Sequence, residues 1–110
     1  MTEISYENWM VEGQRRFGED FMNWRFECPV CHHVASVQDY QPFKDRGADA
    51  NSATCECIGR YIPGSRKAFE ETGKGPCDYA GYGLFRLSPV MVTAAPDIAP
   101  RHCFAFAPMD

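Results

Sequence analysis

Two cysteines separated by two residues, in Cys28-Pro29-Val30-Cys31, constrain this chain more than any other stretch. Such a pair closes on one metal ion as a tight turn, with both sulfurs aimed inward and the turn's N–H groups aimed at them. Four further cysteines, Cys55, Cys57, Cys77 and Cys103, and three histidines, His32, His33 and His102, are available for the second half of a site. In a reducing compartment, six cysteines read as metal ligands or free thiols and not as disulfides.

Structural zinc takes four soft or borderline ligands at tetrahedral positions, with a closely spaced cysteine pair on at least one element. Cys28 and Cys31 are that pair. Cys77 follows Gly75-Pro76, a turn dipeptide, so its thiol is presented from a loop. On a helix Cys55 and Cys57 would lie about 200° apart, so the two seldom serve one ion together. Cys57 is followed by Ile58-Gly59, and a glycine just after a ligand lets the backbone wrap the metal. The expected ligands are therefore Cys28, Cys31, Cys57 and Cys77 around one structural Zn²⁺, with Cys55 in place of Cys57 as the alternative. Competing readings of the first pair are a redox dithiol, which shares its spacing, and ordinary buried thiols. The later cysteines favour metal. His32 and His33 read as exposed residues of the turn, and Cys103 as a core thiol on an alternating strand.

A chain of 110 residues is expected to form one domain over 1–110, stapled by the metal. Nine Gly and eight Pro interrupt its middle and C-terminal half, so regular elements should be short, which is where a metal staple helps most. The net charge of −4 argues against a general nucleic-acid binder, which needs a basic stripe. No apolar run approaches the roughly 18 residues of a membrane span. Residues 1–5 carry neither a basic nor an apolar leader region, so the expected location is the cytoplasm.

Along the chain, Tyr6, Trp9, Met10, Gly13 and Phe17 form one helical stripe, which predicts an amphipathic helix over about 5–18 capped by Ser5 and closed by Gly18. Trp24-Arg25-Phe26-Glu27 alternates as a short strand into Cys28. Ser36 and Asp39 make a capping box for a short helix with Tyr40 and Phe43 inward and Gly47 at its end. Asp49 reads as another N-cap ahead of Cys55. The metal elements are placed at 24–34, 55–59 and 75–79. The Gly/Pro-rich stretch 59–76 reads as an exposed excursion with one helical turn at 66–71. From 84 to 107 the character is β: Leu84–Leu87, Val90–Thr93 and His102–Phe106, the last two as an antiparallel hairpin. The fold class expected is α+β, a small zinc-ribbon-like domain with an N-terminal helix and a short antiparallel sheet.

Three blocks, Trp24-Arg25-Phe26-Glu27-Cys28-Pro29-Val30-Cys31, Cys57-Ile58-Gly59-Arg60 and Gly75-Pro76-Cys77-Asp78-Tyr79-Ala80-Gly81-Tyr82-Gly83-Leu84-Phe85-Arg86-Leu87, together resemble a family of small bacteriophage and prophage proteins. The resemblance covers roughly residues 5–92. The recurring cysteines of that family correspond to Cys28, Cys31, Cys57 and Cys77, while Cys55 and Cys103 fall outside the pattern. The resemblance carries no assigned activity. It implies a phage accessory protein in a bacterial host cytoplasm, a class that often acts on host machinery, including defence systems.

The sequence holds no signature of catalysis. Neither the zinc deaminase pattern nor an H-E-x-x-H, G-x-S-x-G or P-loop motif is present. Four cysteines would also close the metal to substrate. The expectation is a non-enzymatic protein that binds a host protein or complex. The alternative is a nucleic-acid-binding zinc-ribbon regulator, cued by the basic and aromatic residues Arg60, Tyr61, Arg66, Lys67 and Lys74.

Overall fold

The Ser5 hydroxyl accepts the Asn8 N–H at 3.2 Å, and helix α1 (Tyr6–Phe17) runs from that cap to Gly18. The computed structural model describes residues 2–70, 75–82, 86–95 and 97–108. On α1 the inward stripe buries Trp9 and Gly13 and half-buries Met10 and Phe17, while Tyr6 stays exposed. Gly13 is required by packing, since a Cβ there would lie 2.2 Å from the Trp24 ring.

Six short strands are described: β1 (Thr2–Ser5), β2 (Arg25–Glu27), β3 (Val34–Ser36), β4 (Val90–Thr93), β5 (Arg101–Cys103) and β6 (Ala105–Phe106). They form two three-stranded sheets. In one, β2 is central and antiparallel to both neighbours, with Phe26 opposite Ala35 of β3 and Phe106 of β6. In the other, β4 is central, antiparallel to β5 and parallel to β1. Helix α1 lays Trp9 against the first sheet, its ring centroid 5.5 Å from Trp24, 5.6 Å from Phe106 and 6.2 Å from Phe26. Each such ring taken from water contributes about 1.5–3 kcal/mol. The Trp24 indole N–H donates to the Gly18 carbonyl at 2.9 Å, which ties the end of α1 to the start of the β2–β3 hairpin.

The architecture is α+β, and several expectations need correction. The capping box at Ser36 and Asp39 forms, and Gly47 ends the segment in the left-handed region, but Val37–Arg46 is a 3₁₀ helix with a kink at Phe43, just after Pro42. A proline removes a helix donor, which favours a short, tight winding over a regular α-helix. Asn51, not Asp49, holds the N-cap position of the next 3₁₀ turn (Ser52–Thr54). Asp49 instead accepts the Asn51 N–H on its carboxylate at 2.8 Å.

The expected helical turn at 66–71 reduces to one hydrogen bond, Glu70 N–H to the Lys67 carbonyl, while Arg66 pairs with Cys77 as an isolated parallel bridge; Glu71 lies outside the described residues. Of the expected strand Leu84–Leu87, Leu84 and Phe85 also lie outside them. Arg86 and Leu87 are not in a strand, because the Leu87 N–H is taken by the Tyr79 hydroxyl at 2.7 Å. The hairpin between the last two runs is present as β4–β5. The run His102–Phe106 is nevertheless not one strand: Phe104 turns into the interior and donates its N–H to the Thr54 carbonyl, so β5 and β6 serve different sheets. Strand β1 and its parallel pairing were not foreseen. Among the described residues no helix is long and apolar enough to cross a membrane.

Candidate metal centre

Three separate pieces of backbone carry cysteines to one point. The β2–β3 hairpin supplies the first. Its turn is held by Cys28 N–H to the His33 carbonyl at 3.0 Å and His32 N–H to the Cys28 carbonyl at 2.9 Å. That turn places His32 at φ 64°, a left-handed conformation uncommon for a residue with a side chain. The second piece is Cys57, at the N-cap of a 3₁₀ turn (Ile58–Tyr61). The third is Cys77, after Gly75-Pro76. The second and third pieces lie against each other: Cys57 N–H donates to the Tyr79 carbonyl, Gly81 N–H to the Cys55 carbonyl, and Glu56 and Ala80 form an antiparallel bridge.

The Sγ atoms of Cys28, Cys31, Cys57 and Cys77 all lie within 4.8 Å of one another, with Cys28 to Cys77 at 3.8 Å and Cys31 to Cys57 at 3.6 Å. Four thiolates at about 2.3 Å from a tetrahedral zinc would be about 3.8 Å apart, so the spacing suits a metal with little rearrangement. Cys28, Cys57 and Cys77 are buried and Cys31 is half-buried. Backbone N–H groups surround the sulfurs. The Cys77 N–H donates to the Cys57 sulfur at 3.4 Å, and the N–H groups of Val30 and Cys31 at Cys28, of Gly59 at Cys57 and of Tyr79 at Cys77 favour the thiolate form. Such donors stabilise negative sulfur and orient it.

The electrostatics separate Cys28, Cys57 and Cys77. Cys57 is held down to about 5, first by the hydrogen bond from the Cys28 thiol and then by the Gly59 and Cys77 N–H groups. Cys28 is pushed up, first by sharing its proton with Cys57 and then by burial. Cys77 is pushed up to about 12, chiefly by burial. All four sulfurs would be anionic together only with a cation among them, which is what a divalent metal would supply.

Gly59 proves critical for a reason other than wrapping the metal. A Cβ there would lie 2.2 Å from the Cys77 carbonyl oxygen, so the second and third pieces can touch only across a glycine. Cys55 does not join the four. It is half-buried, and its thiol points to the Asn51 carbonyl at 3.7 Å. Cys103 is buried in β5. His32 is exposed, with its ring 2.8 Å from the Glu27 carboxylate; His33 is half-buried; His102 sits opposite Met91. Among the described residues, the cluster that could hold a metal contains no histidine.

The sequence reading missed Glu56. Its carboxylate is buried between Cys55 and Cys57, accepts the Tyr61 hydroxyl at 2.6 Å and the Tyr82 hydroxyl, and faces the Arg60 guanidinium at 3.3 Å. Its carbonyl accepts the hydroxyl of Tyr40, which burial pushes up first, with the Cys57 and Cys28 charges adding to the shift. The available signal was an acid flanked by two cysteines with a tyrosine five residues on. The basic cluster is also not open: besides the Arg60 pair, Lys67 stands 3.6 Å from Asp78. Lys74 lies outside the described residues.

A model of the VVA0879-like family matches residues 5–107, nearly the whole chain. No curated protein and no solved structure matches it.

Proposed function

The chain belongs to the VVA0879-like family, and for it we propose a zinc-stapled binding module with no chemistry of its own. One structural Zn²⁺ is held by Cys28, Cys31, Cys57 and Cys77 in a zinc-ribbon-like arrangement. The observation that carries this reading is the closed set of four sulfurs within 4.8 Å of each other. When all four bind, no coordination position is left for water or substrate, so the metal organises loops and does not catalyse. Zinc suits four thiolates in a buried tetrahedral setting; iron is the other metal that suits them. Metal analysis of the purified protein decides: one zinc per chain is expected, and one iron would overturn the zinc assignment.

The surfaces set by the metal carry the function. Val11 on the outer face of α1 and Ile62, Tyr82 and Leu87 around the metal loops are exposed apolar side chains. On this reading the protein is a phage-encoded accessory factor that docks on a host protein or complex in the bacterial cytoplasm, antagonism of a defence complex being one form of that activity. Its acidic charge suits competition for a basic site. A tagged chain purified from host cells should bring down one partner in stoichiometric amount, and the complex should re-form from the two purified proteins. Failure to re-form, together with salt-dependent binding to DNA or RNA, would instead favour a nucleic-acid regulator. The pairing of Arg60 and Lys67 with acids argues against that outcome.

A further inference from the structure

We propose that the cleft between Arg46 and Arg60 takes a carboxylate side chain of a protein partner, seated beside an apolar residue of the same segment. This rests on the docking reading and names the chemistry of one contact. Two 3₁₀ turns end at the cleft. Arg46 is the last residue of Val37–Arg46, and Arg60 and Tyr61 close Ile58–Tyr61. With Glu56, Ile62 and Pro63 they line a space of about 280 Å³. Sites that enclose a whole small molecule run to about 300–1,000 Å³, so a smaller and exposed cleft fits one side chain of a larger partner.

Both guanidinium groups are held by backbone carbonyls. Arg46 Nη1 donates to the Tyr61 carbonyl at 2.8 Å, and Arg60 Nη1 to the Asp78 carbonyl at 3.1 Å. Arg60 also meets Glu56 through Nε. The edge of Arg46 formed by Nε and Nη2 has no partner among the described residues. Such an edge presents two parallel N–H groups, which a carboxylate fills with both of its oxygens. Fixing the group in advance lowers the entropy cost of binding.

Charge selects the ligand. The chain carries a net charge of −4, yet this cleft holds two cations against one acid. Glu56 is already met by Arg60 and by the Tyr61 and Tyr82 hydroxyls. One positive charge, that of Arg46, is left over, which suits a carboxylate better than a phosphate dianion. Ile62 and Pro63 are exposed and form an apolar wall beside it. Tyr82, also exposed, lies with its ring centre 6.0 Å from the Arg60 guanidinium and extends the same surface. Tyrosine and arginine are the residue types that concentrate binding energy at protein interfaces.

The test is an NMR titration of the full-length, nitrogen-labelled protein as purified, at physiological salt. The probe is an acetylated, amidated hexapeptide of alternating glutamate and leucine, compared with its glutamine counterpart and with inorganic phosphate. The glutamate peptide should give saturable shifts centred on the Arg46 side-chain Nε–H and the amides of Tyr61 and Ile62. Arg46→Glu should weaken it by about tenfold or more, and Arg46→Lys severalfold, because an ammonium keeps the charge but not the fork. Lys44→Glu makes the same charge change two residues away and should stay near wild-type affinity. The spectra of the variants show that each remains folded. No saturation, equal binding of the glutamine peptide or of phosphate, or an affinity untouched by Arg46→Glu and Arg46→Lys would each overturn the proposal. The docking reading is scored apart. A host partner that re-forms its complex undiminished with Arg46→Glu keeps that reading and overturns this cleft as its seat. Peptide binding at the cleft by a chain that recovers no partner keeps the cleft's chemistry and fails the docking reading.

Discussion

At Gly59 the cost of one methyl group can be read from a distance. An added Cβ would meet the Cys77 carbonyl at 2.2 Å, and that carbonyl belongs to a candidate ligand. Gly59→Ala should destabilise the protein by about 1–3 kcal/mol, as overpacking does, and weaken metal retention in a chelator competition. Gly13→Ala carries two opposed effects. Helix propensity favours alanine by about 1 kcal/mol, but the Trp24 ring stands 2.2 Å from the new atom. The clash should win, and the melting temperature should fall. His32 offers a converse test. Its positive φ suits glycine, so His32→Gly should be close to neutral in a melt, whereas the β-branched His32→Val should cost about 1–2 kcal/mol. Among the cysteines, Cys57→Ser should lose stoichiometric metal by elemental analysis and Cys55→Ser should keep it, because only Cys57 has its sulfur in the cluster.

At the scale of elements, α1 is held partly by charge. Arg15 first, and then Arg16, hold the Glu12 carboxyl down from the usual 4.5 to about 2. A depressed acid contributes stability that is complete above its unfolded value and is lost as pH falls through its folded value. Denaturation curves between pH 5 and pH 2 should therefore show a loss that Glu12→Gln lacks. Because the group is exposed, high salt should shrink the difference. The two ends of this helix were plain in the sequence, since Ser5 and Gly18 act on their own neighbours. The short strands were less so. Thr2–Ser5 has one apolar residue, Ile4, and its place beside β4 comes from pairing 88 residues away. His102–Phe106 alternates as one strand would, yet Phe104 breaks it to reach Thr54.

For the whole molecule, β5 and β6 matter beyond their length, because two adjacent short strands complete both sheets. Removing residues 101–108 should abolish the dispersed methyl and amide resonances of a folded protein; a truncated chain with the native spectrum would contradict the topology. Metal removal is the companion experiment. On the proposed reading, ligands drawn from residues 28 to 77 have no preformed site in the unfolded chain, so binding and folding would be one process. A chelator at neutral pH should abolish cooperative unfolding, and restored zinc should bring it back.

The amino-acid sequence by itself determined what depends on near neighbours: the capped helix, the Cys28–Cys31 turn, the Ser36 capping box, and which residue types could hold a metal. It left Cys55 and Cys57 as alternatives, because spacing along a chain does not say which sulfur faces which. Only the tertiary structure brought Cys57 and Cys77 against the first pair, turned Cys55 toward Asn51, and buried Glu56 among Tyr61, Tyr82 and Arg60. The physical reason is the same in each case. Hydrogen bonds and caps within one turn are local energies that a few residues decide, whereas the meeting of 57 with 77, or of 54 with 104, is chosen by the packing of the whole chain around Gly59 and Phe104.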